Sequence, residues 1–254
     1  MKTSRQTVLI TGGGSGIGLS LAKKFLENDN TVIITGRNLS KLEEVKKEFP
    51  QINIFQSDVT KEAEVRMLAD DILQKFDGID VLINNAGIMN LLDTGNESND
   101  LKKQLEEIEI NYNSPIRMLH YFLPQLKKSK NAVLVNVSSG LAYVSFAQAP
   151  VYSGTKAAVH FWTQAIRPQL KPHNIKVIEL LPPVVDTHLA KEADLTNDSL
   201  TPMPTEKLSA IFWKEYSKGT EEITPGISTQ LKFISRLAPK FGFNQLNKEP
   251  IPKK

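Results

Sequence analysis

Tyr152 and Lys156 are the residues whose types and spacing most directly indicate proton chemistry. They lie four residues apart in Tyr152-Ser153-Gly154-Thr155-Lys156, and on a helix they would share one face. A tyrosine normally has a pKa of about 10. A neighbouring ammonium favours the phenolate, so the pair could move a proton to or from a substrate oxygen. The alternative is an amphipathic helix with a buried tyrosine and a surface lysine. For an isolated tyrosine and lysine at this spacing, that structural explanation is the more common one.

A glycine-rich segment follows the first apolar run of the chain. It reads Thr11-Gly12-Gly13-Gly14-Ser15-Gly16-Ile17-Gly18 and stands between a predicted strand and a predicted helix. Glycines let the backbone turn sharply and let a pyrophosphate approach the N-terminus of a helix. The segment therefore predicts a dinucleotide site, with a ligand-free glycine-rich turn as the alternative.

Short apolar runs alternate with longer helical patterns and must position both motifs. The runs are Val8–Thr11, Thr31–Thr35, Ile52–Gln56, Val81–Asn84, Ala132–Val137 and Lys176–Leu181. They hardly alternate with polar residues, which is typical of parallel strands buried on both faces. The intervening segments repeat apolar residues about every fourth position, as helices do. We therefore predict an α/β fold of the Rossmann type, a doubly wound parallel sheet in a single domain spanning 1–254.

The pattern changes after the sixth predicted strand. A polar stretch runs from Asp186 to Pro204, and a helical pattern follows from Glu206 to Ser217. In open α/β sheets, ligands bind beyond the carboxyl ends of the strands. We therefore expect residues 184–225 to cover the crevice as a lid and residues 226–254 to form a basic amphipathic C-terminal segment. At a smaller scale, Ser40 is the predicted N-cap of the helix Lys41–Phe49.

The composition limits the classes of function. The 254 residues are 40% hydrophobic and 23% charged and include no cysteine, so the chain is globular and has neither thiol chemistry nor Cys-type zinc sites. We expect no metal. A formal net charge of +3, with both signs mixed, gives no argument for nucleic acid. Met1 to Ile10 has no signal-peptide shape, and no apolar window is long enough to span a bilayer. We expect a cytoplasmic protein with no stable membrane insertion.

The motifs together resemble the short-chain dehydrogenase/reductase family. The resemblance rests on the glycine loop, Asn84-Asn85-Ala86-Gly87 after the fourth strand, Asn111 in the next helix, Val137-Ser138-Ser139 at the end of the fifth strand, and Y-x-x-x-K at Tyr152 to Lys156. It extends from about Thr7 to Thr187. It implies an oxidoreductase that transfers hydride between a nicotinamide and a carbonyl or alcohol substrate, with Tyr152 as general acid/base.

The resemblance also implies residue roles. Ser139 would hold the substrate oxygen, whereas Ser138, on the opposite face of the strand, would line the cofactor pocket. Asn111 would hold a water that links Lys156 to solvent, with a helix-packing amide as the alternative. The catalytic set is thus Asn111, Ser139, Tyr152 and Lys156. The implied cofactor-binding residues are Gly12, Gly14, Ser15, Gly16, Ile17, Gly18, Arg37, Asp58, Val59, Asn85, Ala86, Gly87, Tyr152, Lys156, Pro182, Val185 and Thr187.

Arg37 decides the expected cofactor. In NAD-using members of the family an acidic residue commonly stands at the position of Gly36, and this chain has none there. A guanidinium suits a 2′-phosphate, so we expect NADP(H) to be preferred over NAD(H), unless Arg37 only stacks on adenine. Asp58-Val59 resembles the adenine-binding pair of the family, although Asp58 could equally cap the helix that follows.

Two segments depart from the family pattern. Pro183 replaces the usual glycine in Pro182-Pro183-Val184-Val185-Asp186-Thr187 and removes an N–H, while Thr187 still fits the residue that contacts the nicotinamide amide. The family's seventh strand with V-D-G-G is not found. Glu221 to Gly226 and Ser235 to Pro239 instead resemble a bacterial branch whose founding member is encoded with genes for D-alanine esterification of teichoic acid.

The C-terminal segment carries an apolar side and a net charge of +5 from Pro225 to Lys254. A helical projection places Ile227, Leu231, Ile234, Leu237, Ala238 and Phe241 on one side. This side could dock on the protein or lie on an anionic membrane, and we expect docking because Pro239 and Gly242 interrupt the helix. The family resemblance implies a homodimer or homotetramer.

The alternatives to an enzyme are a catalytically idle cofactor-binding regulator and a membrane-surface accessory protein. The substrate pocket would be built from Gly140 to Pro150 and from Val184 to Ser217, with the C-terminal tail as a further candidate. Its candidate apolar lining residues are Phe146, Phe212 and Trp213, each of which could instead belong to the core.

Overall fold

Seven parallel strands form one sheet in the computed structural model, which describes residues 1–192 and 201–248. The strands are β1 (Thr7–Thr11), β2 (Thr31–Gly36), β3 (Asn53–Gln56), β4 (Val81–Asn84), β5 (Val133–Val137), β6 (Lys176–Leu180) and β7 (Glu222–Ile223). Their order across the sheet is β3-β2-β1-β4-β5-β6-β7. This order reverses between β1 and β4, which creates the crevice at the carboxyl ends of a doubly wound sheet. The predicted fold class is confirmed.

Helices cover both faces of the sheet. They are α1 (Gly16–Leu26), α2 (Leu39–Glu48), α3 (Glu62–Phe76), α4 (Leu101–Ile108), α5 (Ser114–Lys128), α6 (Pro150–Leu170), α7 (His188–Glu192), α8 (Thr205–Lys218), α9 (Ile227–Leu237) and α10 (Pro239–Leu246). Along β1, Val8 and Ile10 belong to one buried cluster and Leu9 to the other. Since each strand sends alternate side chains into two apolar layers, the strands lack the apolar–polar alternation of half-exposed sheets.

The seventh strand lies in the segment that lacks the family signature. Glu222 and Ile223 pair in parallel with Glu179 and Leu180 of β6. The expectation that the signature is missing was correct, but the edge position is nevertheless filled. A strand of two residues has no periodicity that could be recognised in the sequence.

The N-cap of α2 is Asn38, and the prediction of Ser40 is wrong. The helix begins at Leu39, and the Lys41 N–H donates to Asn38 Oδ1 at 3.1 Å. Ser40 lies inside the first turn, and its hydroxyl also donates to Asn38 Oδ1, at 2.7 Å. Asparagine is at least as good an N-cap as serine, and here it lies two residues earlier.

In the described part of the excursion after β6, residues between Val184 and Ala190 line the inner cavity, whereas the later residues pack elsewhere. Val185 forms a parallel bridge with Met203, and α8 then packs on α1. The ring centroids of Phe212 and Trp213 lie 6.2 Å and 5.1 Å from that of Phe25. These two aromatic residues therefore belong to the core and do not line the pocket. The part of the predicted lid at 193–200 lies outside the described residues.

The C-terminal segment forms two helices with a break at Ala238. Pro239 begins α10, as a proline can at the first helical position, whereas Gly242 lies inside α10 and does not interrupt it. A Cβ on Gly242 would collide with Ile234 Cγ2, so glycine is needed here for α10 to pack against α9. Leu237 and Phe241 are 84% and 56% exposed, so the predicted apolar side is divided between the protein and its surface. No helix in the described part of the chain is long and apolar enough to cross a membrane.

Candidate active site

Two adjoining cavities open at the carboxyl ends of the strands. We call the first the inner cavity; it is lined by residues from β5, α6 and the segment after β6, including Ser139, Tyr152 and Lys156. We call the second the glycine cleft; it is lined by Gly12, Gly16 and other residues around the β1–α1 turn. Residues that line both cavities are Ile17, Asn85, Gly87, Thr187 and Leu189. The two motifs found in the sequence thus face one continuous depression.

Tyr152 and Lys156 lie on the first turns of α6 and are both buried. Lys156 Nζ donates to the Val137 carbonyl oxygen at 3.0 Å and lies 5.4 Å from the centre of the Tyr152 ring. Ser139 Oγ accepts from the Leu141 N–H at 3.1 Å, and Ser139 and Tyr152 line the same cavity as Lys156. The expected serine, tyrosine and lysine are therefore brought together.

The electrostatics of this pair differ from the simple expectation. Burial raises the pKa of Tyr152 to about 12, against the smaller lowering by Ser139. Burial also lowers the pKa of Lys156 to about 8, while the nearby carboxylates Glu107 and Glu179 raise it. Lys156 by itself does not lower the Tyr152 pKa, because removal of the phenolate from water outweighs its stabilisation; the expected lowering also counted on the positive charge of a bound nicotinamide. At neutral pH the phenol keeps its proton.

Ser138 lines the inner cavity together with Ser139, and it binds a buried carboxylate. Its hydroxyl donates to Glu179 Oε1 at 2.6 Å, and Glu179 Oε2 lies 2.8 Å from His160 Nδ1. Both partners are buried. Sequence reasoning missed Glu179, although a glutamate in the middle of an apolar strand pattern is a signal that could have identified it.

Asn111 lies in a π-helical turn, Glu109–Asn113, between α4 and α5. Its amide donates to the Ile88 carbonyl oxygen and accepts from the Ile88 N–H, both at 2.9 Å, and it also donates to Thr155 Oγ1 at 3.2 Å. A Cβ on Gly87 would lie 3.3 Å from Asn111 Oδ1 and 3.5 Å from Lys156 Nζ. The side chain thus ties the segment after β4 to α6 beside Lys156, and π-helical turns are frequent at functional sites.

Glu107 is a buried carboxylate that sequence reasoning missed. It lies one helical turn before Asn111 and is 0% exposed. The Asn90 amide donates to Glu107 Oε2 at 3.1 Å, and burial raises the pKa of Glu107. No local signal marks it, because it belongs to an acidic run that is typical of a solvated helix face.

Contacts between neighbouring loops shape the glycine cleft. A Cβ on Gly18 would collide with the Gly12 carbonyl oxygen, so α1 can begin directly beneath the turn. Thr11 Oγ1 accepts from the N–H groups of Asn85 and Ala86, each at 3.0 Å. Ser15 is the N-cap residue of α1, and its side chain makes no capping bond. The N–H groups of this helix end therefore suit an anionic ligand.

Three expected cofactor residues lie outside both cavity linings. Gly14 faces α2, where a Cβ would lie 3.5 Å from Leu42 Cδ2. Gly18 packs beneath Gly12. Asp58 Oδ1 accepts from the N–H and hydroxyl of Thr60, at 3.0 and 2.8 Å, in a turn that leads into α3. The other expected residues line one cavity or both, and Val59 lies in the glycine cleft.

Arg37 stands at the far end of the glycine cleft with a partner that sequence reasoning missed. Its Nη1 lies 2.9 Å from Glu106 Oε1, and the two side chains are 51% and 41% exposed. Ser57 lines the same end of the cleft, and its buried hydroxyl has no hydrogen-bond partner among the described residues. A polar group that binds here would satisfy Ser57 and compete with Glu106 for Arg37.

The two prolines after β6 form part of the inner cavity. The Pro182 carbonyl oxygen accepts from the Gly140 N–H at 2.9 Å, which holds the turn against β5. Thr187 lies farther along, where its Cγ2 approaches Gly16. Pro183 therefore does not prevent the chain from returning to the glycine cleft, and Thr187 lies where the two cavities meet.

Known proteins are similar in sequence to this chain. The model of the short chain dehydrogenase family matches residues 6–198. The chain belongs to this family. It is 38% identical over 248 residues to the uncharacterized oxidoreductase DltE of Bacillus subtilis (strain 168), across 97% of this chain and 98% of that protein. An uncharacterized oxidoreductase of Staphylococcus aureus (strain MRSA252) is 32% identical over 181 residues, 70% of this chain and 78% of that protein. The likeness to DltE confirms the expected bacterial branch.

Solved structures share the fold of this short-chain dehydrogenase. A short chain dehydrogenase from Burkholderia cenocepacia J2315, in complex with NADP, superposes with a TM-score of 0.84 at 24% identity, covering 97% of this chain and 99% of that one. A short-chain dehydrogenase from Streptomyces avermitilis gives 0.83 at 23% identity, covering 95% and 96%. By its family, the protein is an NAD(P)-dependent oxidoreductase. In the described residues, no cluster of three or more His, Asp or Glu side chains could hold a metal ion.

Proposed function

We propose that this protein is an NADP(H)-dependent oxidoreductase that transfers hydride between the nicotinamide and a carbonyl or alcohol substrate, with Tyr152 as general acid/base. The observation that carries the proposal is the buried cluster of Ser139, Tyr152 and Lys156 where the inner cavity meets the glycine cleft. A regulator that binds the nucleotide without turning over a substrate needs only the glycine cleft. Such a protein could lose Ser139, Tyr152 and Lys156, which this chain retains.

The geometry suits reduction of a carbonyl in a simple way. The bound nicotinamide supplies or accepts the hydride. Ser139 holds the substrate oxygen, and the Tyr152 phenol, which keeps its proton at neutral pH, donates that proton as negative charge develops on the oxygen. Lys156, with a pKa of about 8, is mostly protonated at neutral pH and stabilises the phenolate that remains. Asn111 holds the water that links Lys156 to solvent.

The glycine cleft fits a dinucleotide. The N–H groups at the start of α1 bind the pyrophosphate. The Ser57 hydroxyl, which has no partner in the described part of the chain, meets the adenine end together with Val59. Arg37 binds the 2′-phosphate of NADP(H), because Gly36 supplies no carboxylate to hold the 2′-hydroxyl of NAD(H). The NADP complex of the structural neighbour from Burkholderia cenocepacia supports this choice. Thr187 contacts the nicotinamide amide.

The enzyme works as a homodimer or homotetramer in the cytoplasm. Exposed apolar side chains on α4 and α6 support association, since Leu101, Leu105 and Phe161 are 65%, 55% and 70% exposed. Light scattering after size-exclusion chromatography measures the mass directly, and a monomer at micromolar concentration would contradict the assembly. Cell fractionation tests the location.

A screen of aldehydes and ketones that follows NADPH absorbance tests the reaction. Tyr152→Phe is the matched control, because it removes the proton donor and keeps the ring. We expect turnover to fall by about 10²–10⁴-fold in this variant, with NADPH affinity changed by less than about twofold. Full turnover by Tyr152→Phe, on a substrate of the parent enzyme, would remove Tyr152 from the acid/base role.

A further inference from the structure

We infer that the inner cavity takes an uncharged, largely apolar aldehyde or ketone, and that α9 and α10 of the C-terminal segment form the wall that selects it. The inference rests on the proposed function for the reacting carbonyl. It adds the substrate class and the residues that determine it.

Few side chains in the described lining of the inner cavity are polar. They are Asn85, Ser138, Ser139, Tyr152, Lys156 and Thr187, of which Asn85 and Thr187 also line the glycine cleft. The other side chains in the lining are apolar and include Met89, Leu141, Phe146, Leu189, Leu231 and Leu246. Among the described residues that line the cavity, Lys156 is the only charged one. A charged group on the distal part of a substrate would lose its water there without gaining a partner.

The C-terminal helices reach the cavity because they pack on the loop after Ser139. A Cβ on Gly140 would lie 2.6 Å from Ser228 Oγ and 3.2 Å from Leu231 Cδ1, so α9 lies directly on the residue after Ser139. Near the end of the segment, Asn247 Oδ1 accepts from the Ala147 N–H at 2.6 Å, and its amide donates to the Ser145 carbonyl oxygen at 3.0 Å. These contacts hold Ile227, Leu231 and Leu246 in the wall.

The basic side chains in the described part of the segment, 226–248, do not line the cavity. Lys232 Nζ lies 2.8 Å from Glu222 Oε1, and Glu222 also accepts a hydrogen bond from the Tyr143 hydroxyl. Arg236 and Lys240 are exposed and do not line the cavity. The described part of this basic segment therefore contributes Ile227, Leu231 and Leu246 to the cavity lining, which supports an uncharged ligand.

Matched pairs of carbonyl compounds test the substrate class. Hexanal and 6-oxohexanoate differ in a distal carboxylate, as do 4-methylbenzaldehyde and 4-formylbenzoate. With NADPH as reductant, we expect kcat/KM to favour the uncharged member of each pair by at least about a hundredfold. Equal values, or a preference for the carboxylates, would overturn the inference.

Leu231→Lys tests the wall itself, and Phe233→Lys is its matched control. Phe233 lies on the same helix but is 59% exposed and does not line the cavity. We expect Leu231→Lys to shift the ratio of kcat/KM values toward the carboxylates by about tenfold or more, and Phe233→Lys to leave the ratio unchanged. Equal shifts in both variants would contradict a role for α9 in selection. If Leu231→Lys does not fold, Leu231→Ala replaces it, with its melting temperature as the check that it is folded. We expect Leu231→Ala to raise KM for hexanal without changing NADPH affinity. An unchanged KM would also contradict a role for α9 in the cavity wall.

A binding measurement separates failure of the inference from failure of the proposed function. Hexanal and 6-oxohexanoate are titrated into the NADPH complex of Tyr152→Phe, and NADPH fluorescence reports occupancy. If the parent enzyme reduces no carbonyl compound but hexanal still binds preferentially, the reaction is wrong and the ligand class stands. If hexanal does not bind, or binds no better than 6-oxohexanoate, the ligand class is wrong.

Discussion

The contact between Arg37 and Glu106 sets the expected preference for NADP(H) over NAD(H). In the structure the guanidinium and the carboxylate are 2.9 Å apart and both side chains are about half exposed. An exposed ion pair of this kind contributes about 0–1 kcal/mol. A charge-assisted bond from Arg37 to a 2′-phosphate contributes about 1.5–3 kcal/mol. Exchange of one partner for the other therefore leaves about 0.5–3 kcal/mol, or a dissociation constant for NADPH that is roughly two- to 160-fold tighter than that for NADH.

Glu106→Gln is the sharpest perturbation of this balance. It releases Arg37 from its partner and removes a carboxylate that repels the phosphate, so we expect NADPH to bind up to about fivefold more tightly while NADH binding stays constant. Arg37→Ala should bring the two dissociation constants close together. In the double variant the gain from Glu106→Gln should largely disappear, since Arg37 carries most of it.

Calorimetric titration of NADPH and NADH measures these dissociation constants directly. Glu48→Gln is the matched control, because Glu48 also forms an exposed ion pair, with Lys23 at 3.7 Å, and neither residue lines the inner cavity or the glycine cleft. The preference should weaken as salt is added, because the groups involved are solvent-exposed. Equal affinities for both nucleotides in the parent protein, or a preference that responds to Glu48→Gln as strongly as to Glu106→Gln, would refute the reasoning.

Three further predictions concern the buried groups and the C-terminal segment. Apart from the larger effect of burial, Glu107 raises the pKa of both Tyr152 and Lys156. Glu107→Gln should therefore lower both pKa values and move the basic limb of the pH profile of kcat/KM for reduction to lower pH. A basic limb that does not move would contradict this role of Glu107. Ser139→Ala should reduce kcat by about a hundredfold or more. Ser138→Ala breaks a bond to a buried carboxylate, so it should lower the free energy of unfolding by about 1.5–3 kcal/mol and have a smaller effect on kcat. Urea denaturation and steady-state assays measure the two effects, and the reverse pattern would exchange the roles of the two serines. A chain ending at Pro225 should have a lower melting temperature or a changed oligomeric mass. The full chain should stay in the supernatant when it is sedimented with anionic vesicles at physiological salt. If the truncated protein keeps its melting temperature and mass and the full chain binds the vesicles, a membrane role is favoured instead.

Local patterns in the sequence were sufficient for most of the fold. Each of the six predicted strands agrees with the structure to within one residue at either end, because strands buried on both faces need continuous apolar runs that are visible in any short window. The glycine loop and the Tyr152–Lys156 spacing are equally local, since one requires a backbone turn and the other a shared helical face. Their meeting at the carboxyl ends follows from the parallel order of the strands.

Features that depend on distant partners could not be predicted in this way. Glu107 lies in an acidic run that would suit a solvated face, and only its packing against Asn90 and α6 removes it from water. Glu106 lies one position earlier, stays partly exposed and meets Arg37 from another part of the chain. The two-residue strand β7 exists only because β6 offers it an edge.

The shift of the Tyr152 pKa is the clearest example of the difference between what the sequence determines and what tertiary packing determines. The sequence places a lysine one helical turn away, and that neighbour alone would favour the phenolate. Burial is a property of everything that packs around the residue, and it raises the pKa to about 12. The identity and spacing of the chemical groups are therefore determined by the sequence, but their ionisation and their partners depend on tertiary packing, because desolvation and electrostatic interactions act through space and not along the chain.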